Sequence, residues 1–139
     1  MLGGGFLQKY VIRKAQTMGY YVLCLDADPN AVGFAIADEH AVINIVDEEA
    51  CLAYARDKQV DGVLTAATDF SVLTMSRIAE ELHLPGINYQ SAKVIKNKAL
   101  VRKRLFEANA DDTGISYEVD SVEDIADILP KIKFPVMMK

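Results

Sequence analysis

Apolar and polar residues follow one another in blocks that fit repeated strand–helix units. Met1-Leu2 followed by Gly3-Gly4-Gly5 reads as the end of a strand entering a glycine-rich turn. Leu7, Val11, Ala15 and Met18 recur at helical spacing over 6–18, and Gly19 supplies a stop. Residues 20–25 (YYVLCL) are an unbroken apolar run, suited to a strand buried on both faces, ending at Asp26-Ala27-Asp28-Pro29. Together these form a βαβ unit. Only two residues precede the glycines, so the chain as given is expected to start late in the first strand.

The pattern continues with a short helix or loop at 31–37 and a third strand at 41–45. Asp47 is placed to cap a helix whose first turn is acidic (Asp47, Glu48, Glu49) and which ends near Lys58. A fourth strand is expected at 60–65. The helix after it carries Val72, Met75, Ala79 and Leu82 on one stripe, with Thr68 or Asp69 as its N-cap. It ends at Pro85-Gly86, and a basic helical run follows within 84–109. Beyond a loop at 110–114, a strand is expected at 115–119. Ser121 and Asp124 resemble a capping box, and Pro130 should end or kink the helix they start. Residues 134–139 then read as a strand that stops in mid-motif, which is not a natural domain boundary. A fragment is therefore expected, with a Rossmann-like parallel α/β domain over 1–89 and the beginning of a second domain over 90–139.

Composition narrows the class. At 139 residues, with 51% hydrophobic and 25% charged residues, the chain suits an ordinary soluble α/β protein. A net charge of −5 argues against a general nucleic-acid binder. There is no apolar run of membrane-spanning length and no signal-like start, so no membrane association is expected and the cytoplasm is the expected compartment. Cys24 and Cys51 lack metal-ligand spacing and read as small reduced core residues, and His40 and His83 as structural or surface residues, so no metal site is expected.

Three places carry candidate chemistry. The glycine turn can bring backbone N–H groups close to an anion at the start of a helix. Read locally, Gly3, Gly5 and Asp26 suggest a dinucleotide fingerprint, but Gln8 stands where its third glycine belongs. A tight turn without a ligand is the plain alternative. Asp69 follows the fourth strand, at the end of the sheet where open α/β folds bind ligands, so Gly4, Gly5 and Asp69 can border one crevice. Finally, six of the 15 Lys and Arg residues (Lys93, Lys96, Lys98, Arg102, Lys103, Arg104) lie in the basic run. On a helix Lys98 and Arg102 point the same way and can face an anion, although a solvated face would look the same.

The order leucine-Pro-Gly-Ile, short helix, Asn97-Lys98, amphipathic helix, acidic loop, helix, Phe134-Pro135-Val136-Met137-Met138-Lys139 resembles the junction between the pre-ATP-grasp and ATP-grasp domains of ATP-dependent ligases. Biotin carboxylase, carbamoyl-phosphate synthase and the purine-pathway carboxylases share that layout. The resemblance implies an enzyme that uses ATP and Mg²⁺ to activate a small-molecule carboxylate as an acyl phosphate, which an amine or similar nucleophile then attacks. It implies nucleotide contact by Lys98 and Lys139, and an acceptor or its phosphate at the Gly3-Gly4-Gly5 loop. It puts the magnesium carboxylates and a glycine-rich lid beyond Lys139, so no catalytic residue is expected here. The basic run and glycine loop lean toward carbamoyl-phosphate synthase, and a homodimer is left open. Two other readings stand beside it: a nicotinamide- or flavin-binding oxidoreductase domain, and a non-catalytic α/β domain binding a small anion.

Overall fold

The computed structural model describes residues 1–110 and 116–137. Lys139 and Met138, and residues 111–115 of the expected loop and strand, lie outside the described residues. The chain divides into two compact units, Met1–Lys96 and Asn97–Lys139.

The first unit is a small parallel sheet between helices. β1 (Leu23–Asp26) pairs in parallel with β2 (Glu39–Val42), in the register Leu23 to Glu39 through Asp26 to Val42. Leu2 forms parallel bridges to Leu25 on one side and to Thr65 on the other. The four segments therefore lie side by side in the order third, second, first, fourth. The first and fourth are single bridges rather than full strands. Leu2 N–H donates to the Leu64 carbonyl (2.9 Å), but the Leu2 carbonyl accepts from the Thr65 hydroxyl (3.1 Å), so a side chain takes over where a longer strand would continue its ladder.

β1 is buried on both faces but takes only the end of the expected run: Tyr20 and Tyr21 precede it and are 63% and 70% exposed. Cys24 packs with Ile12, Val22, Ala31 and Phe34, beneath α1 (Gln8–Thr17) and a 3-10 turn, Val32–Ala35. Leu25 packs with Leu2, Cys51, Leu52, Ala55 and Ile78, beneath α2 (Glu48–Asp57) and α3 (Val72–Glu81). The result is three layers, the arrangement expected of parallel sheets.

Several boundaries differ from the sequence expectation. α1 starts at Gln8, and its buried side is Gln8 and Ile12, one residue on from the expected stripe; Leu7 and Met18 are 58% and 61% exposed. Leu7 already has right-handed helical angles (φ −77°, ψ −36°), but the chain leaves the glycine turn so that Gln8 and Ile12, not Leu7 and Val11, face inward. β2 begins at Glu39, two residues early, because the Val22 carbonyl accepts from both Asp38 and Glu39 N–H and draws a polar stretch into the sheet. Asp47 caps α2 as expected, accepting from Ala50 N–H at 3.0 Å. α3 is not capped by Thr68 or Asp69. Ala67 is left-handed (φ 56°), Thr68 Oγ1 accepts from Phe70 N–H in a local turn, and Ser71 precedes the helix.

α4 (Tyr89–Lys96) closes the first unit, with Ala92 fully buried. The second unit holds α5 (Lys98–Glu107) and α6 (Val122–Ile128), followed by a 3-10 turn, Leu129–Lys131, that includes Pro130. The Ser121–Asp124 capping box is complete, and the helix ends ahead of the proline. Residues 116–119 and 134–137 are not strands. The second unit has no sheet among its described residues for them to pair with, and Pro135 lacks an N–H to donate.

Candidate functional site

The strand order reverses between the first and fourth segments. At such a point the loops leaving the strand ends part and leave a crevice. Its two sides here are the glycine turn at Gly3–Gly5 and the loop 66–70.

The glycine turn is held from below. Gly3 is left-handed (φ 98°), the conformation that favours glycine, and its N–H donates to the Leu25 carbonyl at 2.8 Å. Gly4 N–H donates to Asp26 Oδ2 at 2.7 Å, and Asp26 Oδ1 accepts from Asp28 N–H at 2.9 Å. Asp26, the residue a dinucleotide site would turn toward a ribose, thus bonds the turn itself. The Gly4 carbonyl accepts from Gly33 N–H at 2.6 Å.

Gln8 takes the place of a third glycine and gives the turn a different partner. Its buried side chain lies under Gly3 and Gly5: a Cβ on Gly5 would come 2.8 Å from Gln8 Oε1. Gln8 Nε2 donates to the Ala66 carbonyl at 2.8 Å and so ties the two sides of the crevice together. Above it, the N–H groups of Gly5, Phe6 and Leu7 have no acceptor among the described residues, and α1 has no side-chain cap and no acid in its first turn. An uncapped helix start of this kind favours an anion. Lys9, in that first turn, lies over the Phe6 ring at 3.7 Å and adds positive charge.

On the other side, Thr65 and Ser71 hydroxyls are 2.7 Å apart and clamp the base of the loop. Asp69 is partnered by Lys96 of α4. Its carboxylate, 73% exposed, is 3.4 Å from Lys96 Nζ, and the same ammonium donates to the Asp69 carbonyl at 3.0 Å. Lys96 belongs to the basic run, but nothing in the sequence distinguishes it from Lys93, which lies over the Tyr89 ring. Gln8 left a better trace, as the residue that breaks the glycine pattern.

Lys98 is on the second unit. Asn97 caps α5, its Oδ1 accepting from Leu100 N–H at 3.1 Å, which makes Lys98 the first helical residue. A lysine at the positive end of a helix whose first turn has no acid is electrostatically unfavourable unless an anion is there. Arg102 lies one turn further along the same helix. No three His, Cys, Asp or Glu residues gather into a metal-binding group among the described residues.

The pattern of the ribonucleotide synthetase preATP-grasp domain matches residues 1–101. The chain is 24% identical over 139 residues to N5-carboxyaminoimidazole ribonucleotide synthase of Staphylococcus epidermidis, covering 100% of this chain and 36% of that protein. It is 25% identical over 140 residues to formate-dependent phosphoribosylglycinamide formyltransferase of Methanocaldococcus jannaschii, again covering 100% and 36%. The chain thus spans about a third of the length of these relatives. Among solved structures, phosphoribosylglycinamide synthetase from Anaerococcus prevotii superposes with a TM-score of 0.76 at 19% identity, over 96% of this chain and 34% of that one. N5-carboxyaminoimidazole ribonucleotide synthetase from Thermotoga maritima gives 0.60 at 25% identity, over 91% and 35%.

Proposed function

The chain belongs to the ribonucleotide synthetase preATP-grasp domain family of ATP-grasp ligases, and on that footing we propose that it is the front part of a ligase joining an activated carboxylate to the amine of a phosphoribosyl-bearing acceptor. ATP would phosphorylate the carboxylate, giving ADP and an acyl phosphate. The acceptor amine would attack the acyl carbon, forming the carbon–nitrogen bond and expelling phosphate. The parent protein would work as a soluble enzyme on small molecules; no helix among the described residues is long and apolar enough to cross a membrane.

The observation that carries the reading is Lys98 in the first turn of an acid-free helix start, at the place where the resemblance puts the nucleotide lysine. The ammonium and the helix N-terminus favour the same anion, and phosphoryl transfer depends on such preorganised positive charge. Lys139 is proposed as the second nucleotide lysine. The open amides of Gly5, Phe6 and Leu7 suit the acceptor's phosphate, and Gly4 shapes their turn. The relatives named above carry ribonucleotide or phosphoribosyl acceptors in their names, and none of them is a carbamoyl-phosphate synthase. A ribonucleotide acceptor is therefore the better-supported choice. Mg²⁺ would be held by carboxylates outside the described residues.

The test is calorimetric ATP binding to the full-length protein with and without Lys98→Ala. Loss of one charge-assisted contact should weaken binding about tenfold or more. Unchanged ATP affinity, or NAD binding in place of ATP binding, would refute the reading.

A further inference from the structure

We propose that Lys96 is a positioning residue, holding the 66–70 loop in the shape that faces the acceptor; this rests on the ligase reading above. The loop is fastened at both ends by groups from outside it. Gln8 bonds the Ala66 carbonyl at one end. Lys96 bonds the Asp69 carbonyl at the other, with the Asp69 carboxylate and the Phe70 ring (5.6 Å) beside it. Between them, Ala67 sits in the left-handed region without being glycine. Such a conformation persists only where the surroundings over-determine it, and it is common at ligand-facing loops.

The Lys96 side chain is only 27% exposed, so its stem lies against the protein and its head is committed to the loop. It also emerges from a helix with little freedom. At the start of α4, Tyr89 Oη donates to Glu48 at 2.8 Å, Tyr89 N–H donates to Glu80 at 3.0 Å, and Glu48 pairs in turn with Arg77 at 3.6 Å. α2, α3 and α4 therefore form one framed support, and Lys96 carries its position to the crevice. Removing the ammonium leaves the Asp69 carbonyl only the long bond from Val72 N–H (3.4 Å) and lets the loop relax away from the glycine turn. The Asn97 cap and Lys98 are untouched by that change, so acceptor binding should suffer without a matching loss for ATP.

The test uses the full-length protein with Lys96→Met and Lys96→Arg, phosphoribosylglycinamide and aminoimidazole ribonucleotide as acceptor probes, and hydrogen exchange of residues 66–71. Lys96→Met should raise the acceptor KM about tenfold, keep the ATP KM within about twofold and speed exchange in the loop. Lys96→Arg should restore all three. Unchanged loop exchange overturns the inference, as does a joint rise of both KM values. If the wild type turns over neither acceptor, the ribonucleotide reading fails instead, and loop exchange in Lys96→Met against Lys96→Arg still decides whether Lys96 holds the loop.

Discussion

Asp26 ends β1, and its carboxylate accepts the Gly4 N–H at 2.7 Å, so the strand's last residue closes the glycine turn ahead of α1. Gly4 is buried, and its N–H has no solvent to fall back on. Asp26→Ala should therefore cost about 1–3 kcal/mol, the penalty for a buried donor left unpaired. Asp26→Asn retains an acceptor and should recover part of it. Urea unfolding of the two variants checks this; equal stability of Asp26→Ala and wild type would remove the turn-closing role.

Gly33 and Gly4 approach through their backbones. A Cβ on Gly33 would come 2.8 Å from Gly4 Cα and 2.9 Å from the Gly4 carbonyl oxygen, neither of which can swing aside. Gly33→Ala should destabilise by about 1–3 kcal/mol, as overpacking does. Gly62→Ala meets nothing within 4 Å and should stay within about 0.5 kcal/mol of wild type. Similar unfolding midpoints for the two variants would contradict the close approach.

Both cysteines are buried, and burial pushes each thiol up to about 11. The thiolate is the reactive form, so at pH 8 native labelling by a disulfide reagent should be slower than in guanidinium by on the order of a hundredfold. Equal rates with and without denaturant would show that the sheet does not shield them.

Asp38 accepts from Val22 N–H at 2.8 Å and from Gln16 Nε2 at 3.1 Å, bonds that hold its carboxyl below the ordinary value of 3.8. A lowered folded value makes the contribution complete above pH 3.8 and lost as pH falls through that lowered value. Asp38→Asn should thus be less stable than wild type at pH 7, and the two should converge in acid. A stability gap that stays constant from pH 7 to the acid limb would exclude this linkage.

Much of the fold was legible because it depends on local chemistry. The apolar run ending at Leu25 announces a strand buried on both faces, Asp47 and Ser121 announce helix starts, Pro130 a helix end, and Gly3–Gly5 a tight turn. Each of these acts within a few residues of itself, through backbone conformation or a short hydrogen bond. Asn97-Lys98 stood out through its resemblance to the nucleotide lysine's place; that Asn97 caps α5 and leaves Lys98 in its first turn is shown by the structure.

The remainder depended on residues far apart in sequence. Gln8 looked like a flaw in a glycine motif until Ala66, 58 positions on, supplied the carbonyl it bonds. Asp26 looked like a ribose ligand until Gly4 took its carboxylate. Asp69 looked like a helix cap, and Lys96 like one cation among six, until α4 brought them together. A one-dimensional pattern records which groups can donate, accept or carry charge; which partner each one meets is set by how the helices pack on the sheet.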